Sequence, residues 1–279
     1  HWNVQSPLLS KAIRLVFYIY DIVVGFPVMI YLIAKIGRKS NNSVNVAVVA
    51  IAKNESEYIR EWVAYHKAVG VDRIFIYDND STDNMKSCIQ YFIDSGFVEY
   101  QPIHGQCRQM DAYNHALQYH GRKCKYMAFI DCDEFLTPLD GDRTLVEILD
   151  DFFSLYPKAG ALAVNWCMFG SSRLEDKPEG MLIENFLWRA DIGKQGTNVI
   201  KSIIRPTKTL YFDNPHYAVY SFGYKAYDIY GHCVGAWNND ISDYSDIKIN
   251  HYFTKSKMQW IKRRSMGKAD LGSKDQRTM

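Results

Sequence analysis

The sequence predicts an α/β protein: an open, mostly parallel sheet flanked by helices, with mixed additions in the C-terminal half. Three observations predict it. Between residues 44 and 120, apolar runs rich in β-branched residues alternate with stretches at helical spacing, the order that a right-handed parallel crossover sheet requires. The run at 44–51 is almost continuously apolar, the mark of a strand buried on both faces. Polar clusters at 53–56, 78–83 and 131–134 each follow such a run, at the carboxyl ends of strands, where open sheets bind ligands.

At 279 residues the chain can hold one large domain, or one domain with appendages, because single cores stop growing at roughly 250 to 300 residues. Apolar and charged contents of 47% and 23% are those of an ordinary globular protein, and a net charge of +2 makes no case for nucleic acid, which is not expected as a partner. The 20 tyrosines and 6 tryptophans suit an aromatic core and suit stacking on sugars or bases equally. The six cysteines show no Cys-x-x-Cys pair, so they read as reduced, buried thiols of a cytosolic protein.

Residues 1–43 form an apolar N-terminal zone. Leu15 to Ala34 carries one charge, Asp21, with Gly25 and Pro27 near its middle and Lys11, Arg14, Lys35, Arg38 and Lys39 on its flanks. It can be a spanning helix, a pair of short helices lying on a membrane surface, or a helix packed on the domain. The internal aspartate and the Gly-Phe-Pro break weaken the first, whereas the basic flanks suit an anionic leaflet, so attachment at the inner face of the membrane is expected. The main domain is expected over 44–254, after the polar linker at 39–43.

There, Val44 to Ile51 is the first strand. A helix follows from Glu57 to Ala68 and stops at Gly70. Arg73 to Tyr77 is a second strand, closed by a polar turn that caps a helix running to Ser95. A third strand at Phe97 to Gln101 precedes a helix from Met110 to His120. Next comes Tyr126 to Leu136, read as one buried strand ending in Asp131, Asp133 and Glu134. In an extended backbone Asp131 and Asp133 would point to one spot. Like charges so placed repel unless a cation lies between them; hard oxygen ligands suit Mg2+ or Mn2+. After a helix at Thr144 to Tyr156, strands are expected at Ala161 to Met168, Lys201 to Arg205, Thr209 to Phe212 and Ile247 to Tyr252. A basic helix or tail over 255–279 closes the chain and reads as solvated, or as a membrane- or phosphate-binding surface.

Six ordered motifs then resemble the nucleotide-sugar glycosyltransferases of the GT-A fold, in particular the family 2-like and family 92-like groups. They are Ala-Lys-Asn-Glu-x-x-Tyr-Ile-x-Glu-Trp-x-x-Tyr-His at 52–66, Tyr-Asp-Asn-Asp-Ser-Thr-Asp-Asn at 77–84, Ile-Asp-Cys-Asp-Glu-Phe-Leu at 130–136, Asn-Trp-x-x-Phe-Gly-Ser-Ser at 165–172, Lys-Ser-Ile-Ile-Arg-Pro at 201–206 and Asn-His-Tyr-Phe-Thr-Lys-Ser at 250–256. Asn79 and Asp80 depart from the Asp-Asp-Gly-Ser-Thr-Asp turn of family 2 and favour the family 92-like side.

The resemblance implies a metal-dependent, inverting transfer of a hexose from a nucleotide diphosphate sugar, most often a uridine diphosphate sugar, to a glycan or lipid-linked glycan. Asn54, Glu55, Asp78 and Asn79 would hold the base and ribose, helped by Gln109 and Asn114. Asp133 would bind Mn2+ or Mg2+, Asp131 would bind ribose or metal, and His251 would be the third ligand, with His216 in reserve. Trp166 would stack on a sugar or join the core, and Lys255 and Arg205 are candidates for the diphosphate. A carboxylate must take the acceptor proton; Asp191 is favoured over Glu184. A nucleotidyltransferase would need a glycine-rich loop that 52–55 lacks, and a binding module with a degenerate site is the alternative.

Overall fold

The computed structural model describes residues 41–194, 196–239 and 244–266. The chain divides into two compact units, His1–Lys39 and Ser40–Met279, and the described residues all belong to the second. The apolar segment at 8–36 and the tail beyond 266 lie outside them. No helix among the described residues is long and apolar enough to cross a membrane.

The alternation expected from the sequence is present. Strand β1 (Val44–Ala52) leads through helix α1 (Ile59–Ala68) to β2 (Arg73–Asp78). Short helices α2 (Met85–Cys88) and α3 (Gln90–Asp94) precede β3 (Val98–Pro102), and α4 (Gln109–His120) precedes β4 (Cys124–Phe129). Then follow β5 (Glu134–Pro138), α5 (Leu145–Leu155), β6 (Ala159–Met168), α6 (Leu182–Asn185), β7 (Ile200–Ile204), β8 (Thr209–Phe212), β9 (Ala218–Tyr220), β10 (Lys225–Tyr227), β11 (Cys233–Val234), β12 (Ile247–His251) and α7 (Lys257–Met266).

The strand order is β11-β10-β6-β7-β4-β1-β2-β3. Strands β3, β2, β1 and β4 are parallel, whereas β7 runs antiparallel to both β4 and β6. β12 pairs antiparallel with β5 and parallel with β6, and β8 and β9 form a separate hairpin. The second half is therefore the mixed addition that the sequence predicts.

Because side chains alternate along a strand, β1 serves two cores. Val46, Val48 and Ala50 join Ile59, Trp62 and Val63 of α1 on one face. Ala47 and Val49 join Ala112, Tyr113 and Ala116 of α4 on the other, with Phe212 of β8. Helix α1 ends where Gly70 turns to φ +96°, a conformation cheap only for glycine. Helix α5 begins in a capping box between Thr144 and Glu147, which satisfies two otherwise orphaned N–H groups.

Three sequence expectations are corrected. The helix expected to run to Ser95 breaks at Ile89 into α2 and α3. The strand expected over 126–136 is two strands, β4 and β5, divided by a turn in which the Glu134 N–H donates to the Asp131 carbonyl at 3.0 Å. Asp131 and Asp133 therefore lie on a turn and not on one extended face. All six cysteines are free thiols, but Cys107 and Cys233 are exposed and not buried.

Candidate active site

The expected polar clusters converge at the carboxyl ends of the parallel strands. Asn54, held at φ +57° after β1, stitches two of them together. Its Oδ1 accepts from the N–H groups of Thr82 at 2.7 Å and Asp83 at 3.3 Å, while its own N–H donates to Ser81 Oγ at 3.0 Å. Asp78 accepts from the Ser81 N–H at 3.0 Å, and Asn79 Nδ2 donates to the carbonyls of Ile103 and Gly105 at 3.1 and 2.7 Å. The loops after β1, β2 and β3 thus form one preorganised wall.

Gln109, at the start of α4, joins that wall to the acidic turn by donating from Nε2 to Asp131 Oδ1 at 3.0 Å. The other oxygen of Asp131 accepts from Lys201 Nζ at 3.0 Å. Lys201 is wholly buried, and its ammonium also lies 3.6 Å from Glu134 Oε2. Burial alone would raise the Asp131 pKa, but Lys201 keeps it below the ordinary carboxylate range. Glu134 goes the other way: burial pushes it well above that range in spite of the same lysine. The single ammonium is therefore spent mainly on Asp131.

Asp133 takes different partners. It is 3% exposed, its Oδ1 lies 3.6 Å from His251 Nε2, and its Oδ2 pairs with the Arg263 guanidinium of α7. Burial would raise its pKa, yet Arg263 and His251 hold it well below the ordinary range. The site is thus an anionic floor whose two aspartates are each matched by a protein cation. Glu55, whose pKa is raised by burial, faces Lys255 Nζ at 3.7 Å on the same side.

Among the described residues there is no cluster of three or more His, Cys, Asp and Glu side chains that could hold a metal ion. Asp133 and His251 nevertheless fit a cation held by two protein ligands, the remainder coming from phosphate oxygens and water. An imidazole beside a carboxylate suits Mn2+ better than Mg2+. Among the described residues, His251 Nδ1, Glu134 Oε1 and Trp166 Nε1 are buried without a hydrogen-bond partner, a cost of about 1 to 3 kcal/mol each that a bound ligand can relieve.

Trp166 is half-buried, its ring 4.2 Å from that of His251 and 5.2 Å from that of His216. His216 Nδ1 meets the Ile200 carbonyl at 3.0 Å, and burial lowers its pKa to about 4. Asn114 has both ends of its amide engaged by the backbone of Phe212, at 2.7 and 2.8 Å. Asp191 and Glu184 are exposed. Asp191 follows Ala190, whose N–H donates to the Met168 carbonyl at the end of β6, whereas Glu184 sits on α6, tied to α1 through Glu61. Arg205 is corrected. It lies at the far end of β7, donating to the Pro157 carbonyl at 2.6 Å and stacked on Phe153 and Tyr224. The rule placing ligands beyond strand ends assumes parallel strands; β7 is antiparallel, so its beginning, Lys201, reaches the site.

Lys201 and Arg263 were not singled out from the sequence. A lysine inside the apolar run Ile200–Ile204 is a usable signal, because a buried ammonium demands a buried anion. Nothing in the sequence separates Arg263 from Lys262 and Arg264.

The sequence profile of glycosyltransferase family 92 matches residues 43–271. A family 92 glycosyltransferase of Oryza sativa subsp. japonica is 28% identical over 163 residues, covering 58% of this chain and 27% of the relative. One from Ricinus communis is 27% identical over 59% of this chain and 30% of the relative, and one from Arabidopsis thaliana 25% identical over 62% and 31%. The chain thus spans 27% to 31% of the length of these curated relatives. Among solved structures, S. aureus TarS is similar at a TM-score of 0.38 and 13% identity, over 58% of this chain and 28% of that one. TarS residues 1–349 in complex with UDP give 0.38 and 11%, over 58% and 47%.

Proposed function

This chain belongs to glycosyltransferase family 92, and from that premise we propose that it moves a hexose from a uridine diphosphate sugar to a glycan or lipid-linked glycan, with inversion, in a reaction that depends on Mn2+ or Mg2+. The observation that carries the proposal is the convergence of the loops after β1, β2 and β4 on Asp131 and Asp133, with Lys201, His251 and Arg263 around them.

In this reaction the loops after β1 and β2 form the nucleoside wall. Asp131, fixed by Gln109 and Lys201, offers a preset acceptor for the ribose. Asp133 and His251 would hold the divalent cation, whose chemistry is to offset the charge that grows on the departing diphosphate. The acceptor hydroxyl oxygen attacks the anomeric carbon as the bond to the diphosphate breaks. Its proton passes to a carboxylate, for which Asp191 is assigned because its loop rides on the end of β6, the strand whose Met168 pairs with His251.

The test is titration calorimetry of uridine diphosphate into the purified chain, with Mn2+ and with a chelator, repeated on Asp133→Ala. Metal-dependent binding that disappears in the variant is the expected result. Absence of binding by any common nucleoside diphosphate in the presence of metal would sink the proposal. Binding without turnover would favour a module with a degenerate site, for which the prior pairing of both aspartates with protein cations speaks.

A further inference from the structure

Arg263 occupies the carboxylate that the proposed mechanism needs. It reaches Asp133 Oδ2 from α7, a helix whose other described ties are made away from the acidic turn. Gln259 Nε2 donates to Glu57 at 2.8 Å and to Tyr58 Oη at 3.0 Å, Lys262 lies 3.7 Å from Glu57, and Trp260 is buried. The helix is therefore anchored independently of Arg263. The guanidinium itself also donates to the Phe253 carbonyl at 3.3 Å and lies 4.7 Å over the Phe253 ring. Its side chain keeps 40% of its surface exposed, whereas that of Asp133 keeps 4%. One partner is fixed and the other can swing.

Two cations cannot share Asp133 comfortably. A guanidinium and a divalent ion, each within about 4 Å of one carboxylate, repel each other at the effective dielectric of a protein surface. Entry of the ion must therefore displace the arginine. A nucleoside diphosphate is the anion that arrives at the same time, and a planar guanidinium suits it well because it binds phosphate oxygens in pairs.

Resting on the function proposed above, we infer that Arg263 is an exchangeable counter-ion. Without donor it neutralises Asp133 and disfavours binding of a divalent cation alone; with donor it leaves Asp133 and clamps the diphosphate. The cation and the nucleotide are then taken up together, and the charge on Asp133 is never left uncompensated. Lys201, buried on β7, has no such freedom and stays with Asp131.

The experiment measures two affinities by calorimetry, Mn2+ alone and uridine diphosphate in saturating Mn2+, for the unchanged chain, Arg263→Ala and the near-isosteric neutral Arg263→Gln. Loss of the guanidinium is expected to tighten binding of Mn2+ alone by at least about threefold and to weaken the nucleotide by about tenfold or more, since a charge-assisted bond is lost. Arg263→Lys should keep Mn2+ weak while recovering the nucleotide only in part. Unaltered Mn2+ affinity in Arg263→Gln overturns the counter-ion role, and unaltered nucleotide affinity overturns the clamp. Thermal melting of each variant identifies one that is merely unfolded, and Arg263→Gln then decides. If the unchanged chain binds no nucleoside diphosphate, the function proposed above and the clamp both fail, and the Mn2+ arm still judges the counter-ion role.

Discussion

Lys201 Nζ lies 3.0 Å from Asp131 Oδ2, deep in a strand that otherwise reads as core. The same ammonium faces Glu134, so one buried cation answers for two carboxylates. Lys201→Met should cost about 3 to 5 kcal/mol in urea denaturation at neutral pH, the usual result of stripping a buried charge of its partner. Adding Glu134→Gln should return part of that loss, because a neutral amide no longer needs the ammonium. A double variant no more stable than Lys201→Met would show that Glu134 does not depend on Lys201.

Among the described residues, Asp133 is the one carboxylate that touches both His251 and Arg263. Asp133→Asn keeps the shape and removes the charge. Transfer should fall by about 100-fold or more, the scale of losing one preorganised electrostatic group, while circular dichroism stays unchanged. An unfolded variant would instead make Asp133 a structural counter-ion.

Much of this arrangement was legible in the sequence. The parallel half could be read because β1 is branched and continuous and the α1 and α4 faces repeat at helical spacing. The acidic turn stood out because three carboxylates end an apolar run. What escaped were facts of direction and of long-range pairing. The turn between Phe129 and Glu134 is invisible where Ile130 and Cys132 continue the apolar pattern. β7 runs against β4 for topological reasons, so Arg205 drew attention that belonged to Lys201. Asn114 could not be told from a ligand-binding amide, since its partner, the backbone of Phe212, is 98 positions away.

Asn114 gives a sharp contrast between a clamp and a ligand contact. Its amide donates to the Phe212 carbonyl and accepts from the Phe212 N–H, pinning β8 to α4. Asn114→Ala should cost about 1 to 3 kcal/mol of stability, because two backbone groups lose their partners. Affinity for uridine diphosphate should remain within about twofold. A variant of normal stability with weakened nucleotide binding would return Asn114 to the nucleotide site.

His66 predicts an acid limit to the fold. It is wholly buried, its Nε2 accepts from the Leu136 N–H at 3.2 Å, and so Nδ1 carries the proton toward the Trp62 carbonyl at 2.8 Å. Burial lowers its pKa from 6.5 to about 4. A depressed folded-state pKa means that the unfolded chain takes up the proton first. The contribution is therefore complete above pH 6.5 and is lost as pH falls toward 4, to a total of about 3 kcal/mol. Stability measured over that interval should decline more steeply than in His66→Gln; parallel curves would refute a neutral His66.

The acceptor proton supplies the last prediction, because Asp191 and Glu184 occupy such different settings. Both are exposed. Asp191 extends from a backbone anchored on Met168, which pairs with His251, and so stands on the side of β6 that joins the acidic turn. Glu184 belongs to a short helix whose first N–H groups donate to Glu61 of α1 at 2.7 and 3.0 Å, and its position follows α1. Asp191→Asn should lower kcat by about 100- to 10,000-fold, the range for losing a general base. The affinity for uridine diphosphate should be unaffected. Glu184→Gln should change kcat by less than about twofold. If the two variants behave the other way round, the proton is received from the α6 side, and the acceptor must approach over α1 and not over the end of β6.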